Sequence, residues 1–449
     1  MKALALVATL TTAVAVFGSN AVGETTTAEF WSYAPTPPMG WNSWDCWGTG
    51  VTEAQFKANA DFMAEHLLKF GWEYAVVDIQ WYEPNAKTLQ YRKDAKLNLD
   101  PNGRLWPATN RFPSADKGAG FKPLADYAHS KGLKFGIHLL RGIPRQAVSE
   151  NLPIMGSTAR AKDVANIHDT CAWNPDMYGV DMTKPGAQEY YNSVFKLIAS
   201  WDVDFVKVDD LSRPYVPHQP EIEAIRKAID SSGRPMVLST SPGETPLDAA
   251  EHVSKHANMW RISDDFWDEW PPLAKQFERC ANWAQYTGPG HYPDADMIPF
   301  ARVRAWQPKD KGGWTRFTHD EQQTLMSLWA IAQSPLMFGG HLPETDAFTL
   351  SLLTNAEVIK INQKGRQPHQ VSRDGDRIVW MSEAADGGKN VALFNLGDKS
   401  EEIVVKLGDI GIEGSASVRD CWQPASSPPK DSEIRRKLPA HGSVLVVVK

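Results

Sequence analysis

Between residue 39 and about residue 362 the chain repeats one pattern, a short β-branched or aromatic run followed by a longer amphipathic stretch. That alternation is the signature of βα units and a parallel sheet, and it restricts the fold more than any other feature. The runs read as strands are 39–44, 74–79, 134–139, 205–210, 236–241 and 259–264, with two weaker ones at 283–287 and 336–339. Eight units close into a (β/α)8 barrel more readily than into an open sheet wound on both faces. No glycine-rich nucleotide loop follows the first run. The stretches 51–70, capped by Thr52, 188–199 and 320–332 carry helical periodicity. The polar block 301–318, with Gly312-Gly313, reads as a surface insertion.

Beyond residue 365 the helical period disappears. Short strand-like runs at 378–381, 390–395, 402–406 and 443–448 are separated by turn residues, and 426–430 reads as a loop. The expected plan is an α/β chain: a catalytic barrel at 30–363, then a small antiparallel β-sandwich at 366–449. Ahead of both, Lys2 precedes an apolar run at 3–17, and Ser19-Asn20-Ala21 offers small residues for cleavage after Ala21. Residues 1–21 therefore read as an export signal of a secreted or periplasmic protein. An uncleaved anchor is the alternative, and no later segment is apolar and long enough to span a bilayer.

Composition removes other classes. A net charge of −7 provides no basic face for a phosphate backbone, so nucleic acid is not an expected partner. Four cysteines in 449 residues form neither a disulfide-dense scaffold nor a zinc pattern. A scaffold role would need internal repeats, and none is found.

The acids carry the functional information. Asp78, Asp209-Asp210 and Asp264-Asp265 fall at or just beyond the C-terminal ends of expected strands, the face on which barrel active sites sit. A lone strand-end Asp is more often a cap or turn residue. Three strands ending this way, with Lys207, Arg261 and Trp44 alongside, point to a shared pocket. Two carboxylates across a sugar are what glycosidic cleavage needs, one ionised to attack and one protonated to donate. Cations nearby keep the first ionised. Trp41, Trp44, Trp81 and Trp260 lie near strand ends as candidate sugar platforms, although core packing explains any one of them equally well.

With these residues in view, the chain resembles glycoside hydrolase family 27, the α-galactosidase and α-N-acetylgalactosaminidase family. The resemblance rests on Pro38-Met39-Gly40-Trp41-Asn42-Ser43-Trp44, Phe205-Val206-Lys207-Val208-Asp209 and Trp260-Arg261-Ile262-Ser263-Asp264-Asp265. It continues through Ser327-Leu328-Trp329-Ala330-Ile331, Ser334-Pro335-Leu336, Leu353-Thr354-Asn355 and Asn362-Gln363, in the family's order. It implies a retaining, exo-acting hydrolase that removes terminal α-D-galactosyl-type residues from an oligosaccharide or polysaccharide, without cofactor or metal. Asp209 would be the nucleophile and Asp265 the acid/base, with Asp210 and Asp264 as rivals. Lys207 and Arg261 would hold hydroxyls and tune the carboxylates, and Trp44 and Asp78 would line the sugar subsite.

Three positions depart from the family. Where α-galactosidases carry two consecutive Asp residues after the second strand, this chain has Asp78-Ile79, and an apolar residue cannot accept a hydrogen bond from a C6 hydroxyl. In this it resembles β-L-arabinopyranosidases, whose sugar lacks C6. Ser241 replaces a Glu that reads the C2 hydroxyl, as in the N-acetylgalactosaminidases, with Glu244 near enough in sequence to swing in. His138 replaces a Tyr. The family's usual disulfide after the nucleophile is not expected, because Leu211 occupies one of its positions and leaves Cys171 alone. Substrate alternatives are thus the β-L-arabinopyranoside and the α-N-acetylgalactosaminide. The alternative from another class is a catalytically silent carbohydrate-binding protein.

Overall fold

A computed structural model describes residues 29–414, 416–423, 426–427, 429 and 432–449. The export-signal reading at 1–21 and part of the 426–430 loop lie outside the described residues. Eight parallel strands run in chain order: β1 (Met39–Asn42), β2 (Tyr74–Val77), β3 (Lys134–Leu140), β4 (Phe205–Asp209), β5 (Val237–Thr240), β6 (Met259–Arg261), β7 (Tyr292–Asp294) and β8 (Leu336–Phe338). From β1 to β7 each pairs with the next in sequence, and β1 also pairs with β8. The ring closes just past β7, where Ile298 donates to Met337 O at 2.7 Å and accepts from the Gly339 amide at 3.0 Å. This is the (β/α)8 barrel.

The strands are short because each needs only to span the packed interior. Tyr74, Val76, Phe205, Val237, Met259, Tyr292 and Met337 fill that interior as a separate apolar cluster. Their neighbours one residue along face the outer helices, so both faces are buried and the runs read as continuously apolar. Gly40 is required in β1, since a Cβ there would fall 2.1 Å from Tyr74 O on the adjacent strand.

One strand differs from expectation. Residues 283–287 are not the seventh strand: the Trp270–Trp283 helix ends there and a 3-10 turn, Ala284–Tyr286, follows. The strand is Tyr292–Asp294, three residues with a central proline, too short and too polar to register as a β run. The block 301–318 is also more than a surface insertion. Ala301, Val303, Ala305 and Phe317 are buried, and Arg304 and Arg316 both reach buried Asp268.

Local signals set the helix starts. Thr52 and Gln55 form a reciprocal capping box before the helix Glu53–Phe62, and Thr318 with Glu321 does the same before His319–Ala332. The first of these helices ends earlier than the periodicity predicts, passing through a π-helical turn, Met63–Leu67, and a 3-10 turn, Leu68–Phe70. Between β3 and β4 the chain adds a three-stranded antiparallel flap of Ile143–Pro144, Ala165–Thr170 and Met177–Val180.

The C-terminal module is antiparallel, with β9 (Arg366–Asp374), β10 (Arg377–Glu383), β11 (Lys389–Asn395), β12 (Glu401–Lys406), β13 (Val418–Asp420), β14 (Ser426–Ser427), β15 (Glu433–Leu438) and β16 (Ser443–Val448). They form a six-stranded sheet and a two-stranded one around their own core, which includes Val391, Leu393, Ile403, Val405 and Val446. The module docks on the helices Trp270–Trp283 and His319–Ala332. Trp422 Nε1 donates to Ser327 Oγ at 2.9 Å, and His441 stacks on Trp270 at 3.7 Å. The motif residues Asn355 and Asn362 act structurally. Asn355 caps the helix Ala356–Lys364, and Asn362 donates to the carbonyls of Trp329 and Ser334. Among the described residues no helix is long and apolar enough to cross a membrane.

Candidate active site

Strand alternation builds the site one layer above the apolar interior. In β4, Phe205, Lys207 and Asp209 share the inward side, so a chain that buries Phe205 in the barrel must bring Lys207 and Asp209 to its mouth. His138 on β3 is the register partner of Lys207, which places it on the same layer. Arg261 closes β6 beside Asp294 of β7.

Asp78 is the most constrained acid. Its Oδ2 accepts from Asn42 Nδ2 at 2.7 Å and from Lys207 Nζ at 3.0 Å, while its Oδ1 accepts from the Ile79 amide at 2.9 Å. Asn42 is itself held, accepting the Trp44 amide at 2.8 Å. The turn after β1 therefore works as a bracket that aims Asp78.

Asp209 is buried, with His138 Nε2 at 2.8 Å from Oδ2 and Lys207 Nζ at 4.0 Å from Oδ1. Burial pushes its carboxyl up, but the charges of Lys207, His138 and Arg261 outweigh it and hold the group below the ordinary Asp range. Among the described residues Asp209 Oδ1 has no hydrogen-bond donor. An ionised, desolvated oxygen without a donor has the chemistry a nucleophile needs.

Asp265 stands in a different environment. Its side chain is 55% exposed, and the Arg261 guanidinium lies 3.4 Å away. Arg261 is buried and anchored from behind by Asp296 at 2.6 Å. Asp296 is in turn pinned by the amides of Phe266 and Met297, each at 2.7 Å. The rivals line the same mouth as Asp265, but each is committed to an arginine. Asp210 pairs with Arg141 at 2.9 Å, and Asp264 pairs with Arg213 at the rim.

Asp265 opens onto a cleft of about 830 Å3, walled by Trp44, Tyr91, Trp173 and Trp267. Trp44 and Tyr91 lie nearly parallel, 6.4 Å apart, and Trp173 follows at 5.5 Å from Tyr91. Of the four tryptophans read as sugar platforms only Trp44 lines this cleft. Trp41, Trp81 and Trp260 are wholly buried core, packed near Phe56, Trp201 and Trp283 respectively. Tyr91 and Trp173 were not legible beforehand, because both sit on irregular segments whose position only the tertiary fold decides. Asp296 was hidden by the misplaced seventh strand; an acid two residues past a correctly placed β7 would have signalled it. If the aromatic wall holds the departing group, Trp173→Ala is expected to raise KM several-fold, on the order of 1 kcal/mol for one aromatic contact, with kcat nearly unchanged. Kinetics on a disaccharide substrate check this, and an unchanged KM would remove Trp173 from the binding surface.

The three departing positions are placed as follows. Ile79 is 1% exposed, packed in the main core directly after Asp78. Ser241 is buried at the end of β5, and among the described residues its hydroxyl finds no partner. Glu244 does not swing in: it faces Arg279 at 3.2 Å. Cys46, Cys171, Cys280 and Cys421 are all buried free thiols.

A (β/α)8 barrel whose mouth gathers a buried ionised Asp, a second Asp on an arginine and an aromatic cleft defines a glycoside hydrolase. Comparison with known proteins agrees. The model of the family described as alpha galactosidase A matches residues 36–148 and 176–364, and the alpha galactosidase C-terminal beta sandwich domain matches 374–448. A β-L-arabinopyranosidase of Geobacillus stearothermophilus is 51% identical with a TM-score of 0.92, covering 94% of this chain and 98% of that one. A Bacillus halodurans protein given as a candidate α-N-acetylgalactosaminidase is 49% identical with a TM-score of 0.82, covering 92% and 97%. An α-galactosidase of Coffea arabica is 30% identical over 92% of this chain and 93% of its own length. The chain belongs to glycoside hydrolase family 27.

Proposed function

We propose that this enzyme is a retaining exo-glycosidase that prefers terminal β-L-arabinopyranosides and accepts α-D-galactosides as slower substrates. The observation that carries the preference is Ile79. Directly after the hydroxyl-reading Asp78 stands a buried apolar side chain, which offers a C6 hydroxyl neither space nor an acceptor. β-L-Arabinopyranose is the galactose-shaped ring without that carbon. The similarity to the Geobacillus arabinopyranosidase supports the same reading. The α-N-acetylgalactosaminide is the second reading, favoured by the small, unpartnered Ser241 and by the outward turn of Glu244. Comparing nitrophenyl β-L-arabinopyranoside, α-D-galactoside and α-N-acetylgalactosaminide tests the order. A galactoside turned over fastest would overturn it.

In this reading Asp209 attacks the anomeric carbon while Asp265 gives its proton to the leaving oxygen. A covalent glycosyl–enzyme forms, and Asp265, now ionised, deprotonates the water that releases the sugar. Asp78 and Lys207 hold ring hydroxyls and Arg261 steadies Asp265. Two displacements return the starting configuration. Proton NMR of early product should therefore show the substrate's own anomer, with the two carboxyls about 5–5.5 Å apart. Early product of the opposite anomer would exclude the double displacement.

The depressed Asp209 carboxyl has a pH consequence. The nucleophile works only when ionised, so activity is present above its folded pKa and is lost as pH falls through it. Because the cations lower that value, the acid limb of kcat/KM is expected below the ordinary Asp value of about 3.9. Lys207→Met removes the largest lowering charge and should move the limb upward. A pH profile of both proteins checks this, and identical limbs would show that Lys207 does not tune Asp209.

A further inference from the structure

Two outer helices of the barrel bring together three metal-binding side chains that the site described above does not use. The helix Tyr215–Ser231, which follows β4, carries Glu223. The helix Ala250–Ser254, which follows β5, carries His252, and His256 lies one turn beyond it. One ligand atom from each residue can be chosen so that all three lie within 4.8 Å of one another.

The hydrogen bonds around the two imidazoles show how each ring is held. His256 Nδ1 lies 2.7 Å from the His252 carbonyl oxygen, which can only accept, so the Nδ1–H donates. In the neutral ring Nε2 then carries a lone pair. His252 Nδ1 accepts from the Tyr215 hydroxyl at 2.9 Å, and its Nε2–H donates to Glu223 Oε1 at 3.2 Å, a proton that a bound metal would displace. A ring held at one nitrogen by a carbonyl or hydroxyl, with the other directed at a carboxylate, is how metal-binding histidines are oriented. Two cations near the cluster form ion pairs of their own. Arg226 meets Asp230 at 2.6 Å, and Lys255 meets Glu251 at 2.6 Å.

We propose that Glu223, His252 and His256 form a binding site for a divalent transition metal of the zinc type, two imidazoles and one carboxylate with water completing the tetrahedron. The site ties the helix after β4 to the helix after β5 and stabilises the outer layer of the barrel. It is separate from the cleft, which none of the three residues lines.

The test is zinc titration of the chelator-stripped full chain by calorimetry, with thermal unfolding followed in parallel. One equivalent is expected to bind and to raise Tm, and Co2+ in its place should give the visible absorption of a tetrahedral site. His256→Ala should abolish that equivalent. Glu223→Gln, at an exposed position that the fold does not depend on, should weaken it roughly ten- to a hundredfold, no less than the loss of an outer-shell partner. Wild-type protein that binds no zinc, or binding with equal affinity in both variants, would overturn the proposal.

Discussion

Asp209→Ala is expected to lower kcat/KM by on the order of 10^4-fold or more while the protein still folds. The reason is chemical. Asp209 offers a buried oxygen at the barrel mouth that is held ionised and, among the described residues, left without a hydrogen-bond donor, and no neighbour can take over the attack. Asp78 is committed to Asn42, Lys207 and a backbone amide, and Asp210 to Arg141. Truncation leaves Lys207 with Asp78 as its partner, so the cation is not stranded and the layer should persist. Asp209→Asn keeps the shape and should be equally inactive, which separates loss of charge from loss of packing. Turnover, circular dichroism and Tm measured on both variants check this. Either variant retaining a tenth of wild-type activity would remove Asp209 from the chemistry.

What the sequence made visible follows from where each element is buried. The strands β1 to β6 are covered on both faces, so their apolar runs stand out and the acids that end them are conspicuous. β7 escaped because its three residues include Pro293 and Asp294, with Asp294 turned toward Arg261 rather than into an apolar layer. With β7 went Asp296, the anchor of Arg261. The aromatic wall escaped for another reason: Tyr91 and Trp173 lie far apart in sequence on irregular chain, and no periodic signal joins them. Trp81 and Trp260 show the converse error: each is a wholly buried aromatic packed near another in the outer layer, Trp201 and Trp283, and not at the cleft.

Ile79→Asp is expected to shift the preference between galactoside and arabinopyranoside. A C6 hydroxyl seated against Ile79 loses its hydrogen bond to water and gains none, at a cost of about 1–3 kcal/mol. Supplying the acceptor should raise the galactoside-to-arabinopyranoside ratio of kcat/KM by roughly 5- to 150-fold, at about 1.4 kcal/mol per factor of ten. The substitution also carries a penalty. Position 79 is in the packed core, and a new carboxylate beside Asp78 is both partly desolvated and repelled by its neighbour. Overall activity and Tm are therefore expected to fall. The ratio is immune to this, because a smaller folded fraction lowers both rates equally. Ile79→Asn, which adds the acceptor without the charge, should move the ratio in the same direction with a smaller loss of stability. Measuring both nitrophenyl glycosides on one preparation of each variant decides it. An unchanged ratio would mean that C6 is not read at Ile79, and that the preference for the smaller sugar, if observed, is set by His138 or Ser241 instead.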